Sequence, residues 1–368
     1  GLFGIGLKRP LDGAFSDAVR VVADARSAGA KVLALDAPSG IDADTGALVG
    51  EAVLAADFTL TFLALKPGLL TGPALDFMGE LHCDALGTEA EVAGSDIVAI
   101  QTSFIDAMLG RRAANAHKGS QGTCVIIGGA GGMLGAATLA SRAAIRCGAG
   151  KVKVGWLAEA APAMDANMPE IMMGSASDLV GSATTAMVIG CGLGVSGAAV
   201  RMLTVALQRD VPMIVDADAL NLIAQSAELA TLMQRRTAGT IITPHPAEAA
   251  RLLGCSTADV QRDRMHAARD LAKGYRCVAA LKGAGTLVSD GITASGLSIN
   301  RTGNALLATA GTGDVLAGMI GALLAQGFEA ATAARIGVCM HGAAADALAA
   351  RGVKRAVAGD IIAELATL

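Results

Sequence analysis

The chain has 368 residues, 53% of them apolar and only 2% aromatic, with 47 glycines and a net charge of -4. That length suits a large α/β domain beside a smaller one, with cores built from Ala, Val, Leu, Ile and Met. The composition excludes a disordered chain, and the lack of a Lys/Arg tract excludes the electrostatic footprint of a nucleic-acid binder.

From Gly1 to about Gly87 the pattern predicts a glycine turn, a helix near Phe15 to Ala28, and strands at Val32 to Leu35 and Phe58 to Leu65, part of a parallel sheet. Between residues 88 and 116 the apolar period weakens and Arg111-Arg112 appears, which predicts an interdomain linker with one short helix. A second domain over 117–368 follows. Strand-like runs at Cys124 to Ile127, Lys151 to Trp156, Met187 to Ile189, Met213 to Val215, Thr240 to Ile242 and Cys277 to Leu281 alternate with helical segments. Such a layered domain binds its ligands beyond the carboxyl ends of the strands.

The longest charge-free stretch, about 181–200, is broken by four glycines and reads as a buried strand and turn, so no membrane span is expected. Seven cysteines without CxxC spacing read as free thiols in a reducing, cytoplasmic setting. The chain opens at Gly1 without an initiator Met and is expected to be a fragment.

Chemistry-bearing segments close several of these strands. Ala310-Gly311-Thr312-Gly313-Asp314 precedes a helical run and joins backbone donors and a helix N-terminus, which favour an anion, to a carboxylate. The alternative is that Asp314 merely caps its helix. Leu281-Lys282-Gly283-Ala284-Gly285-Thr286 offers a cation, backbone donors and a hydroxyl suited to a phosphate, or else a strand-ending hairpin. Two prolines hold His245 in a rigid setting, while His82, His266 and His341 read as structural. Asp216 and Asp218, on one side of an extended segment, either hold Mg2+ through water or cap the next helix.

Taken in order, His117-Lys118-Gly119, GGAGGMLGAA from Gly128, GAGKV from Gly148, GCGLG from Gly190, VDADALN from Val215, ITPHPAEAARLLG from Ile242, LKGAGT from Leu281 and AGTGDVLAG from Ala310 resemble the ADP/ATP-dependent NAD(P)H-hydrate dehydratases. The resemblance implies a ribokinase-like three-layer α/β domain, preceded by part of a Rossmann-like epimerase domain. That first part is similar to NAD(P)H-hydrate epimerases through Gly4 to Leu7, Ala34 to Gly40 and Ala64 to Gly68. The epimerase's Asn-Asn-Gly-Gly-Asp-Gly loop is absent, so an incomplete epimerase site is expected.

By resemblance, Ala136, Gly192, Gly194, His245 and Asp314 would contact the hydrate, with Asp314 catalytic. Lys282, Gly283, Ala284, Gly285, Thr286 and Gly313 would hold ADP or ATP, with Mg2+. Gly4, Ile5, Gly6, Leu7, Lys8, Arg9, Pro10 and Asp36 would touch the epimerase substrate, and Ser39 a K+ ion. The implied reaction is ADP-dependent dehydration of NADH or NADPH hydrate by a homo-oligomer, a tetramer by analogy. A kinase of the same fold and a silent nucleotide-binding module are the alternatives.

Overall fold

In the computed structural model the described residues are 2–88, 96–110, 114–291 and 296–368, so Gly1 and Arg111-Arg112 lie outside them. Three parallel strands, β1 (Leu33–Leu35), β2 (Phe58–Phe62) and β3 (Glu80–Asp84), form a small sheet in the order β1-β2-β3. The Gly13–Ser27 helix buries Val19 among Leu7, Leu11, Val32, Ala34, Leu54 and Ala56, a small core of its own.

The rest of the chain builds a ten-stranded sheet. Its strands are β4 (Ile97–Ile100), β5 (Thr123–Gly128), β6 (Lys151–Trp156), β7 (Met172–Ser175), β8 (Ala186–Ile189), β9 (Met213–Val215), β10 (Thr240–Ile242), β11 (Val278–Leu281), β12 (Leu287–Ser289) and β13 (Leu297–Asn300). They run in the order β4-β13-β12-β11-β10-β9-β8-β5-β6-β7, parallel throughout except where β12 meets β11 and β13.

Alternation along the strands explains the layers. On β5, Cys124 and Ile126 enter the core shared with the Leu134–Arg146, Thr312–Ala325 and Ala330–Ala350 helices, while Val125 and Ile127 enter the core on the opposite face. With both faces covered, the central strands read as unbroken apolar runs, which is why their positions were visible in the sequence. The linker expected over 88–116 contains the short helix expected of it, Thr102–Met108, but Ile97–Ile100 departs from the expectation by supplying the edge strand of the large sheet, parallel to β13. Four apolar residues at a sheet edge carry too short a period to stand out from a connection. Among the described residues no helix is long and apolar enough to cross a membrane, and all seven cysteines are free.

The Thr312–Ala325 helix runs through the buried core, with every residue from Val315 to Ala325 buried. It lies so close to the Leu134–Arg146 helix that a Cβ at Gly318 would stand 2.0 Å from the Ala140 carbonyl oxygen. Gly318→Ala is therefore expected to destabilise the protein by about 1–3 kcal/mol despite the better helix propensity of Ala. Urea denaturation measures this, and a raised midpoint would refute the close packing.

Candidate active site

Two glycine turns meet above the carboxyl ends of β5 and β8. The Gly129 and Ala130 amides donate to the carbonyls of Cys191 (3.1 Å) and Gly192 (2.7 Å). A Cβ on Gly128 would stand 2.2 Å from the Cys191 carbonyl oxygen, so this approach requires glycine. The same fit brings Ala136 against Gly192, since the two Cβ positions would be 3.0 Å apart, and Gly194 donates its amide to Asp218 Oδ2 at 2.8 Å. Ala136, Gly192 and Gly194 thus lie in one cluster.

Asp216 follows β9, and its carboxylate is 2% exposed. It precedes the Ala217–Gln225 helix but makes no side-chain cap bond; Asp218 lies within that helix. The extended arrangement expected for this pair is absent because the helix begins immediately after Asp216, with Ala217 at a positive φ of 48°. Asp216 instead accepts from Lys282 Nζ at 2.8 Å, and Glu248 Oε2 stands 3.9 Å from the same ammonium. Burial opposes the charge on Lys282, but Asp216 and Glu248 outweigh it and hold the pKa above its ordinary value.

Asp314 is not a cap. Gly311, at φ 89°, occupies the N-cap position, and Asp314 is the third residue of the helix. Its carboxylate lies within 4.8 Å of Asp216 and the Cys191 thiol. Burial, reinforced by the Asp216 charge, pushes the Asp314 pKa up to about 6, against the pull of Cys191 and Lys282. A carboxylate titrating there is poised as a base near neutral pH.

His245 caps its own helix: Nδ1 accepts from the amides of Ala247 (3.1 Å) and Glu248 (3.4 Å), while the His245 amide donates to Glu248 Oε2 at 2.8 Å. Burial lowers its pKa against the pull of Glu248, and Lys282 adds to the depression. The imidazole is fixed with Nε2 left toward Glu248 Oε1 at 3.4 Å, half exposed.

Lys282 to Thr286 form the turn between antiparallel β11 and β12, so the hairpin and the ligand loop are the same object. The turn opens on a cavity of about 600 Å³, lined also by Asn300 to Ala305, Thr312, Gly313 and His341. Residues of the first segment, Leu70, Leu75, Asp76, Met78 and Leu81, form another part of its wall. A Cβ on Gly313 would lie 3.3 Å from Lys282 Nζ, so Lys282 and Gly313 stand side by side at the cavity rim. Asp314 is the next residue, outside the lining.

His341, expected to be structural, lines this cavity, is 8% exposed and has no hydrogen-bond partner for Nε2 among the described residues. Burial drives its pKa down to about 4, so the ring is neutral and Nε2 is a vacant acceptor. Nothing local distinguishes it, since it sits in an alanine-rich helix whose facing cavity is built from distant segments.

In the first segment Asp36 adopts φ 70° and pairs with Lys66 Nζ at 2.8 Å; burial opposes its charge, but Lys66 holds its pKa below the usual value. Gly4 abuts the Asp36 carboxylate. Lys8 is exposed between Asp42 and Asp44, both at 2.9 Å. Ile5, Gly6, Arg9 and Pro10 are exposed, whereas Leu7 turns into the small core. Ser39 is buried, accepting from the Phe3 amide and donating to its carbonyl.

A family model described as NAD(P)H-hydrate dehydratase matches residues 124–366, and one described as YjeF-related protein N-terminus matches residues 1–68. The expectation of a truncated first domain draws no support from that second match. The chain is 43% identical to the bifunctional NAD(P)H-hydrate repair enzyme of Escherichia coli over 99% of its length and 70% of that protein's. It is 46% identical to the ADP-dependent (S)-NAD(P)H-hydrate dehydratase of Neisseria meningitidis, over 64% of this chain and 80% of that one. The ADP/ATP-dependent NAD(P)H-hydrate dehydratase of Bacillus subtilis, co-crystallised with ATP and Mg2+, superposes with a TM-score of 0.63 and 28% identity, covering 73% of this chain and 96% of that one. A ribokinase-like protein of Enterococcus faecalis, 24% identical with a TM-score of 0.64 over 74% of this chain and 95% of that one, matches in fold.

Proposed function

The chain belongs to the NAD(P)H-hydrate repair enzyme family, and from that premise we propose that it dehydrates NADH or NADPH hydrate at the expense of ADP, with Asp314 as the base. The observation that carries this reading is the Asp314 carboxylate, raised to about 6 at the mouth of a buried helix and one residue from the rim of the Lys282 to Thr286 cavity. In the mechanism, Asp314 accepts the proton of the hydrate's hydroxyl as that oxygen attacks the terminal phosphorus. Hydroxide, a poor leaving group, thereby departs as phosphate, expelled by the ring nitrogen's lone pair with AMP left behind, and loss of a proton from the adjacent ring carbon then restores the dihydronicotinamide. Backbone donors at Gly311 to Gly313 and the Lys282 ammonium face charge building on the phosphoryl group.

Ala136, Gly192, Gly194 and His245 are assigned to the hydrate, and Lys282 to Thr286 with Gly313 to the nucleotide. His341 extends the latter: its vacant Nε2 acceptor suits an amine donor such as that of adenine. Mg2+ fits as a hard cation held mainly by phosphate oxygens, which it would neutralise; the Asp216 and Asp314 carboxylates suit it, and the Cys191 thiol does not. A K+ ion at Ser39 would exchange the Phe3 contacts for its own. The division into 1–87, 88–116 and 117–368 with the edge strand added to the large domain, a homo-oligomer of the tetramer kind, and a cytoplasmic site of action complete the proposal.

Incubation of the protein with hydrated NADH and ADP tests it. Return of reduced-nicotinamide absorbance with equimolar AMP is the expected result, and a stable phosphate ester would instead mark a kinase. The Asp314 titration sets the pH dependence: a base must be ionised, so kcat/KM is expected to fall about tenfold per unit as pH drops below about 6. A flat profile between pH 5 and 7, as fixed by about one unit either side of that value, would remove Asp314 from the role.

A further inference from the structure

Arg264 is 1% exposed, the largest fully buried side chain among the described residues, and has no carboxylate partner among them. A buried guanidinium in that state needs other acceptors, for an isolated charge is costly to desolvate. It finds them in one place. Nε donates to Thr71 Oγ1 at 3.0 Å, NH1 to Gln261 Oε1 at 2.9 Å, and NH2 to the carbonyls of Leu281 (3.4 Å) and Lys282 (3.3 Å). Burial lowers its pKa only to about 10, so it stays charged.

Thr71 belongs to the first segment, yet its hydroxyl reaches the carbonyls of Gly285 (2.8 Å) and Ala284 (3.2 Å), and the Gly72 amide donates to Ala284 at 3.0 Å. Contact is close enough that a Cβ on Gly285 would lie 2.0 Å from the Leu70 carbonyl oxygen, and one on Gly283 would lie 2.9 Å from the Arg264 guanidinium. The carbonyls of Lys282, Ala284 and Gly285 are therefore all drawn to one side of the turn. In a trans peptide the N–H of the next residue points the opposite way, so the amides of Gly283, Gly285 and Thr286 are turned from Arg264 and Thr71. The same residues line the cavity.

We infer that Arg264 and Thr71 are positioning residues for the nucleotide: together they hold the Lys282 to Thr286 turn with its amides presented to phosphate, and the first segment thereby completes the nucleotide site of the second. The inference rests on the reading of that turn as the nucleotide loop. Neither residue touches the reacting atoms, and each acts through the loop. The unpaired guanidinium also adds positive potential beside Gly283, where a polyphosphate would lie.

The test is ADP titration by calorimetry on the full chain, with steady-state kinetics, for the native protein, Thr71→Val, Thr71→Ser and Arg264→Lys. Thr71→Val is expected to raise the ADP Kd and KM about tenfold, the scale of a buried hydrogen bond lost. Thr71→Ser keeps the hydroxyl and should stay within about twofold of native, while kcat at saturating ADP and KM for the hydrate change by less than about twofold in Thr71→Val. Arg264→Lys, which cannot reproduce the fork of donors, should weaken ADP at least as much. A role confined to folding would lower Tm and leave the ADP constants of the folded protein alone. Equal ADP affinity in native protein and folded Thr71→Val overturns the inference, as does an equal loss in Thr71→Ser. Should Arg264→Lys fail to fold, the Thr71 pair decides. If the native chain ignores ADP, the functional reading falls and this inference with it; if the native chain binds and the variants match it, this inference falls alone.

Discussion

Asp314→Asn is expected to leave the fold intact and to lower kcat for hydrate dehydration by roughly 10²–10⁴-fold, the range for a positioned general base. The amide is nearly isosteric with the carboxylate, so packing at the mouth of the Thr312–Ala325 helix is retained while the proton acceptor is lost. Stability moves in the opposite direction. The carboxyl group titrates near 3.8 when unfolded and at about 6 when folded, so the native state holds its proton more tightly. Stability due to this group is present below about pH 4 and is lost as pH rises through about 6. Asn has no proton to lose, so the variant should melt higher than the native protein above that pH. Activity loss with a raised Tm at pH 8, a value about two units above that pKa, distinguishes a strained catalytic group from a structural one. Near-native turnover would eliminate the base assignment.

Lys282→Met should have the largest effect on stability, about 3–5 kcal/mol, because it strands a buried carboxylate. Asp216 is 2% exposed and is paired at 2.8 Å with the Lys282 ammonium, with Glu248, 6% exposed, at 3.9 Å. Removing the cation leaves these two beside Asp314, whose own carboxylate Lys282 helps keep ionised. The acidic limb of kcat/KM, set by Asp314, should consequently move to higher pH. Urea denaturation at neutral pH measures the loss, and adding Asp216→Asn to Lys282→Met should restore much of the stability while leaving nucleotide binding impaired. An unchanged midpoint in the single variant would show that Asp216 does not depend on this pair.

What could be read from the chain without its fold depended on the range of each interaction. Most of the strand runs from Cys124 to Leu281 were visible because both faces of those strands are buried, which makes them largely apolar, whereas Lys151 to Trp156 alternates partly buried lysines with buried valines. The glycine turns after them were visible because close backbone approach excludes side chains, as at Gly128 over Cys191. Short edge and antiparallel strands carried no such signature. Ile97–Ile100 pairs with Leu297–Asn300, about two hundred residues away, and nothing in the expected linker announces that partner.

Among the candidate residues, Lys282, Gly313 and Asp314 were recognisable because a cation, glycine donors and a carboxylate at strand ends form a local chemical pattern. Arg264 was not, for it sits on a helix near Arg262 and Arg269 with no local mark of which one is buried. The local sequence determines which atoms are available and how the backbone turns at each glycine. Tertiary structure alone decided that Asp216 answers Lys282 instead of capping a helix, that His341 faces a cavity, and that Thr71 grips a loop more than two hundred residues away. The reason is that burial and charge pairing depend on proximity in space, and a residue's sequence neighbours do not specify which distant side chain will meet it.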